Sequence, residues 1–272
     1  MNKRDLLRLG ALSLPALLLA TSGLAQDFPP KKAVTMVVGF APGGAADAAA
    51  RLIARKLGEN IGQTVVVENK AGAGGNIAHQ LVANGQDDGS VLLFGSIGPL
   101  TIAPHMMKVG YDPFKDLAPI SGGVHFPNVL VVNAGGNAMQ DLLGNRFTGY
   151  FAAPPTALPH IETGKLIPLA TTGLVRPTYL PNIPTVAESG FPGFQALNWY
   201  AFVAPGKTPT ALLDRWNVEV VKVLKDPGVI EALNKHGLTP HPTTRAELTD
   251  FMRKESVQWG TIVRERKITG GG

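Results

Sequence analysis

AVTMVVGFAPGGAAD (residues 33–47) and TVVVENKAGAGGNI (residues 64–77) are the stretches on which the fold turns. In the first, Val34, Met36, Val38 and Phe40 alternate onto one face, the period of a strand over Ala33–Phe40. Ala41–Gly44 reads as a turn. From Ala45 the period becomes helical, with Ala46, Ala49, Ala50, Ile53 and Leu57 on one side and Arg51, Arg55 and Lys56 toward water. Gly58 is the expected stop. In the second stretch the valine-rich Thr64–Glu68 is a strand, Gly72, Gly74 and Gly75 form a turn, and a helix follows from Asn76 to Ala83. Val91–Phe94 is a third strand. This order is a βαβαβ unit, which implies an α/β fold with a parallel sheet, right-handed crossovers and helices on its faces.

Further along, Val124–Val132, Leu166–Thr171 and Tyr200–Val203 read as strands, and Leu212–Leu224 and Ala246–Trp259 as helices. The last helix is entered through Thr243 or Thr244, with Glu247 three residues after Thr244 in the capping-box pattern. Pro177–Pro192 is a proline-rich crossing.

The N-terminus carries Lys3, Arg4 and Arg8, an apolar run from Leu9 to Leu19, and small residues at Gly23 and Ala25. That is the pattern of a secretory signal over residues 1–25, cut before Gln26. The run of about eleven residues is too short to cross a bilayer, which needs roughly twenty. The expected location is the periplasm, with no membrane insertion after the signal is removed; the export route stays open. The signal holds two of the net +5 charges. With no run of basic residues and no basic–aromatic alternation elsewhere, nucleic acid is not an expected partner. The absence of cysteine excludes disulfides and a thiol nucleophile. His79, His105, His125, His160, His236 and His241 show no metal-pair spacing, so no metal or cofactor is expected. His79 reads as a surface or packing residue, and Trp199-Tyr200 as cleft lining or, more often for aromatics beside a strand, core.

Both glycine turns lie at the carboxyl ends of strands, where open α/β sheets bind ligands. Each leads into a helix whose first N–H groups lack internal partners and whose dipole is positive there. Two such ends side by side would cradle an anion without arginine. Asp47 could pin the first loop as a cap or contact a ligand. A nucleotide fingerprint fails, because Ile77 stands where a third glycine is required. Ser96 does not sit in a Gly-x-Ser-x-Gly elbow.

The chain resembles the Bug-type periplasmic solute-binding proteins of tripartite tricarboxylate transporters (TctC-like). The resemblance rests on Val37–Gly44 with Asp47 and Arg51, Val65–Lys70 with Gly72–Ile77, Asp88-Gly89, Leu158–Ile161, Pro184–Gly190, and Trp199-Tyr200 with Ala204-Pro205. It implies a two-lobe, Venus-flytrap-like architecture that binds a small organic carboxylate and delivers it to the membrane subunits of a transporter, without catalysis and as a monomer. Carried over by position, the ligand contacts are Phe40, Gly43, Gly44, Ala45, Asp47, Gly72, Gly74, Gly75 and Asn76, with Ser96 added. The implied division places residues 26–100 and about 196–235 in lobe 1, and about 101–195 and 236–272 in lobe 2.

The family carries a longer stretch between segments like Val124–Val132 and Asp141–Gly144, and this chain has Phe151-Ala152-Ala153 where a Phe-Asp-Asn run is usual. The second lobe is therefore expected to be truncated, with weaker affinity and closure. Two rivals stand beside this reading. One is a periplasmic hydrolase or isomerase using Ser96 or Asp47. The other is a ligand-less interaction, sensory or degenerate copy.

Overall fold

The computed structural model describes residues 28–133 and 149–270. The expected export signal and the Asp141–Gly144 segment lie outside them. The chain forms β1 (Val34–Val38), α1 (Ala45–Ile61), β2 (Val65–Asn69), α2 (Asn76–Ala83) and β3 (Val91–Ser96). A π-helical turn, Gly98–Ile102, and the short α3 (Ala103–Met106) follow, then β4 (Leu117–Pro127) and β5 (Val129–Asn133). Next come β6 (Tyr150–Ala152), α4 (Pro154–Glu162), β7 (Leu166–Thr171), β8 (Leu197–Pro205), α5 (Thr210–Leu224), α6 (Pro227–Lys235), β9 (Thr239–Pro240) and α7 (Arg245–Glu265).

Two sheets result, one ordered β2-β1-β3-β8-β4-β9 and one ordered β6-β5-β7. The parallel arrangement holds for β2, β1 and β3 alone. β8 runs antiparallel to β3 and β4, and all pairs of the second sheet are antiparallel. The expectation of parallel sheets is thus corrected: the larger sheet is mixed and the smaller one antiparallel, because β8 and β5 each lie, reversed, between two strands that a helical crossover joins.

The alternation read in the sequence explains the packing. Val34, Met36 and Val38 join α1, α5 and α6 in one core, whose α1 face is Ala45, Ala46, Ala49, Ala50, Ile53 and Leu57. Val37 points the other way, to Ala78 and Val82 of α2 and Leu248 and Met252 of α7. Ile53 and Leu57 are fully buried, which is worth about 1.5–3 kcal/mol each. Gly58 does not end α1. The helix continues to Ile61 and stops at Gly62, which takes the left-handed cap conformation (φ 65°). Gly58 is small for another reason: a Cβ there would lie 2.9 Å from Gln63 O.

The division between lobes also differs from the expected one. β4, β9 and α7 belong to the first sheet and its core. The second unit is what lies between β4 and β8, built on β5, β6, β7 and α4 around Val129, Val131, Ala152, Ala157 and Leu166. The single strand expected over Val124–Val132 is two, because Asn128 marks the passage from one sheet to the other. Asn128 N–H donates to Thr172 Oγ1 (2.8 Å), Thr172 N–H donates to Asn128 O (3.0 Å), and Ala196 N–H donates to Thr172 O (2.9 Å). The outgoing and returning passages are therefore bonded to each other.

Candidate functional site

The two glycine loops meet at the carboxyl ends of β1 and β2. Asn69, the last residue of β2, ties them: its Nδ2 donates to Phe40 O and to Asp47 Oδ1, each at 3.0 Å. Arg51, one turn after Asp47 on α1, donates from Nε to Asp47 and from its terminal nitrogen to Asn69 Oδ1 (2.9 Å). Gly43 N–H donates to Asp47 Oδ2 at 3.0 Å. Gly43 takes φ +85°, a conformation that costs glycine little. Asp47 is buried. Burial alone would raise its pKa, but the bonds from Arg51, Gly43 and Asn69 outweigh it and hold the carboxyl below its ordinary value. Its oxygens are engaged inside the loop, so Asp47 clasps the two loops together.

Gly44 caps α1 with no side chain, and no other side chain takes its place. The N–H groups of Gly44, Ala45 and Ala46 find no protein acceptor among the described residues. The second loop is different. Gly75 N–H donates to Gly72 O (2.9 Å), and Asn76 N–H and Nδ2 both reach Ala73 O. Asn76 Oδ1 accepts from the Tyr111 hydroxyl (2.8 Å). Gly72, Gly75 and Asn76 thus shape their loop, leaving exposed Gly74 as its tip. Both helix starts lack a side-chain cap, and the second loop also supports the first. That support is close, since a Cβ on Gly39 would sit 3.0 Å from Gly75 Cα and one on Gly75 3.6 Å from the Phe40 ring.

Ser96 ends β3 opposite Tyr200 of β8. Its Oγ is buried with no hydrogen-bond partner. No base engages it among the described residues. The Tyr200 ring meets Phe40 edge-on (centroids 6.2 Å) and packs on Phe94 and Phe126. Burial raises the Tyr200 hydroxyl above the usual tyrosine range, and Tyr150 of β6 adds to this.

Sequence reasoning did not single out Asn69 or Tyr111, and left Tyr200 between cleft lining and core, although Asn69-Lys70 directly after a valine strand marks where a side chain could bridge to the next loop. His79 is wholly buried, with Nδ1 2.8 Å from Gly75 O. It is a packing residue under the second loop.

The profile of the tripartite tricarboxylate transporter family receptor (TctC) matches residues 49–135 and 133–268. The chain belongs to that family. The protein BugT of Bordetella pertussis is 30% identical over 314 aligned positions, covering 93% of this chain and 96% of BugT. Among solved structures, an R. palustris protein determined with adipate superposes with a TM-score of 0.83 at 26% identity, covering 89% of this chain and 99% of that one. The periplasmic binding protein BugD superposes with a TM-score of 0.80 at 26% identity, covering 88% and 99%. The fold of this family member is thus the two-lobe α/β fold of periplasmic binding proteins. The first glycine loop lies just before the matched residues, and the second lies inside them.

Proposed function

We propose that this TctC-family protein captures a small organic carboxylate in the periplasm and presents it to the membrane subunits of a tripartite transporter. The observation that carries the reading is the uncapped start of α1, with the orphaned Ser96 hydroxyl at the end of neighbouring β3. A carboxylate there would accept charge-assisted bonds from Gly44 and Ala45, beside Phe40, Gly74 and Ser96. The dipole of α1 would add about 0.3–1 kcal/mol. Gly43, Asp47, Gly72, Gly75 and Asn76 act by holding the loops. The adipate in the R. palustris structure supports this ligand class.

The second lobe is shortened in this reading. The alignment with BugT needs 314 positions where this chain has 272 residues, and the family match breaks at residues 133–135, at the end of β5. A reduced second wall leaves the anion more exposed to water, where a charge pair at about 4 Å is worth only about 1 kcal/mol. Weak binding is expected.

Isothermal titration and thermal melting with adipate, malate and citrate test the proposal. Saturable binding of at least one acid, accompanied by a higher Tm and weakened in Ser96→Val, is the expected result. A folded protein that neither binds nor is stabilised by any acid of the panel overturns it.

A further inference from the structure

A second hollow of about 270 Å³ opens on the α7 side of the first sheet, where the chain returns from the second sheet at Gln195–Leu197. It shares no residue with the glycine loops. Its walls are aromatic: Trp199 of β8, Phe251 and Trp259 of α7, and the His125 and His241 imidazoles. Trp199 meets Phe251 edge-on at 5.2 Å, His241 lies 5.9 Å from Phe251, and the two imidazoles are 4.9 Å apart. Phe251, Glu255 and Trp259 follow one another at four-residue spacing on one face of the helix. Glu255 is the acid of the hollow. Its Oε2 accepts from Trp199 Nε1 (3.0 Å) and Trp259 Nε1 (3.2 Å). Its Oε1 has no protein partner, and no lysine or arginine lines the hollow, among the described residues.

The two indoles fix this carboxylate but cannot neutralise it. Burial lowers the pKa of both imidazoles, and His241 lowers that of His125 further, so both stay uncharged at neutral pH. The hollow thus carries one negative charge among aromatic rings, whose faces are electron-rich. An anion is repelled, and a neutral apolar guest would strip water from Glu255 without replacing it. A divalent metal would want several oxygen ligands where one carboxylate is offered, and no cluster of three acidic, histidine or cysteine side chains occurs among the described residues.

We propose that this hollow binds a small organic ammonium ion, with Glu255 as counter-ion and Trp199, Phe251 and Trp259 as the aromatic wall. Choline is the probe, and its neutral isostere 3,3-dimethyl-1-butanol the control. Two of the three tryptophans border the hollow, so tryptophan fluorescence and calorimetry both report binding. Saturable choline binding that the isostere does not reproduce, weakened about tenfold or more in Glu255→Gln, is the expected outcome. Absence of saturable choline binding, equal binding of the isostere, or a folded Glu255→Gln protein that binds choline as tightly as the parent overturns the proposal. The choline–isostere comparison needs no variant, so it decides the matter even where Glu255→Gln fails to fold.

Discussion

Asp47 and His79 show how single buried groups hold the loops in place. Asp47 takes bonds from three residues on a buried carboxylate. Removing it in Asp47→Ala leaves Gly43 N–H and Asn69 Nδ2 short of an acceptor, at an expected cost of about 1–3 kcal/mol in urea unfolding at neutral pH. Its folded pKa lies below the ordinary 3.8. The unfolded chain therefore takes up the proton first as acid is added. The Asp47 contribution is complete above pH 3.8 and is lost as the pH falls through the folded value, so the variant should lack that part of the acid limb. His79 has the same sign in a higher window. Burial pushes its pKa down from 6.5 to about 4, against the opposing bond to Gly75 O. Stability from the neutral, buried imidazole is full above pH 6.5 and drains away between pH 6.5 and about 4. His79→Leu should flatten that slope in denaturation curves collected across this range, whatever it costs at pH 7.

At the scale of elements, α7 shows what sequence chemistry can specify. Thr244 Oγ1 accepts from Glu247 N–H, and the Glu247 carboxylate accepts from Thr244 N–H, closing the box that the Thr-x-x-Glu spacing predicts. Thr244→Ala should lower stability by about 1 kcal/mol, read as a shifted urea midpoint at unchanged slope. The βαβαβ unit was legible because strand and helix periods change abruptly at Gly43-Gly44 and Gly75-Asn76. α4 and α6 were not. α4 begins Pro154-Pro155 and contains Pro159, and α6 begins at Pro227; read alone, such prolines suggest loop, although proline suits a helix's first turn. The turn before β3 is held by α5: Gly89 O accepts from the buried Trp216 indole, and a Cβ on Gly89 would come within 2.9 Å of Leu212. Local spacing located both glycine loops. It could not show that Gly75 and Asn76 N–H turn back to carbonyls of their own loop, because that depends on the loop's path and not on its spacing. The aromatic hollow was invisible for a related reason: His125, Trp199 and Glu255 come from three distant segments that only the β4–β8 pairing and α7 packing bring together.

In the whole molecule, two sheets communicate through two passages of chain. Thr172 stands between them, accepting from Asn128 N–H and donating to Ala196 O. Thr172→Val keeps the shape and removes both bonds, leaving a backbone donor unpaired. The expected result is a loss of about 1–3 kcal/mol and faster hydrogen exchange at the Asn128 amide, with exchange in β1 and β3 unchanged. No helix among the described residues is long and apolar enough to cross a membrane.

The register of β4 on β8 has a wider meaning. Pro127, which leads out to the second sheet, lies directly opposite Leu197, which leads back. The second unit is accordingly a detour begun and ended at one rung of an antiparallel ladder. Replacing residues 128–196 by a two-residue hairpin turn would interrupt no strand of the larger sheet, and such tight turns are the commonest way to join neighbouring antiparallel strands. Lengthening or trimming the detour between Pro127 and Leu197 would leave the ladder of the parent sheet in register.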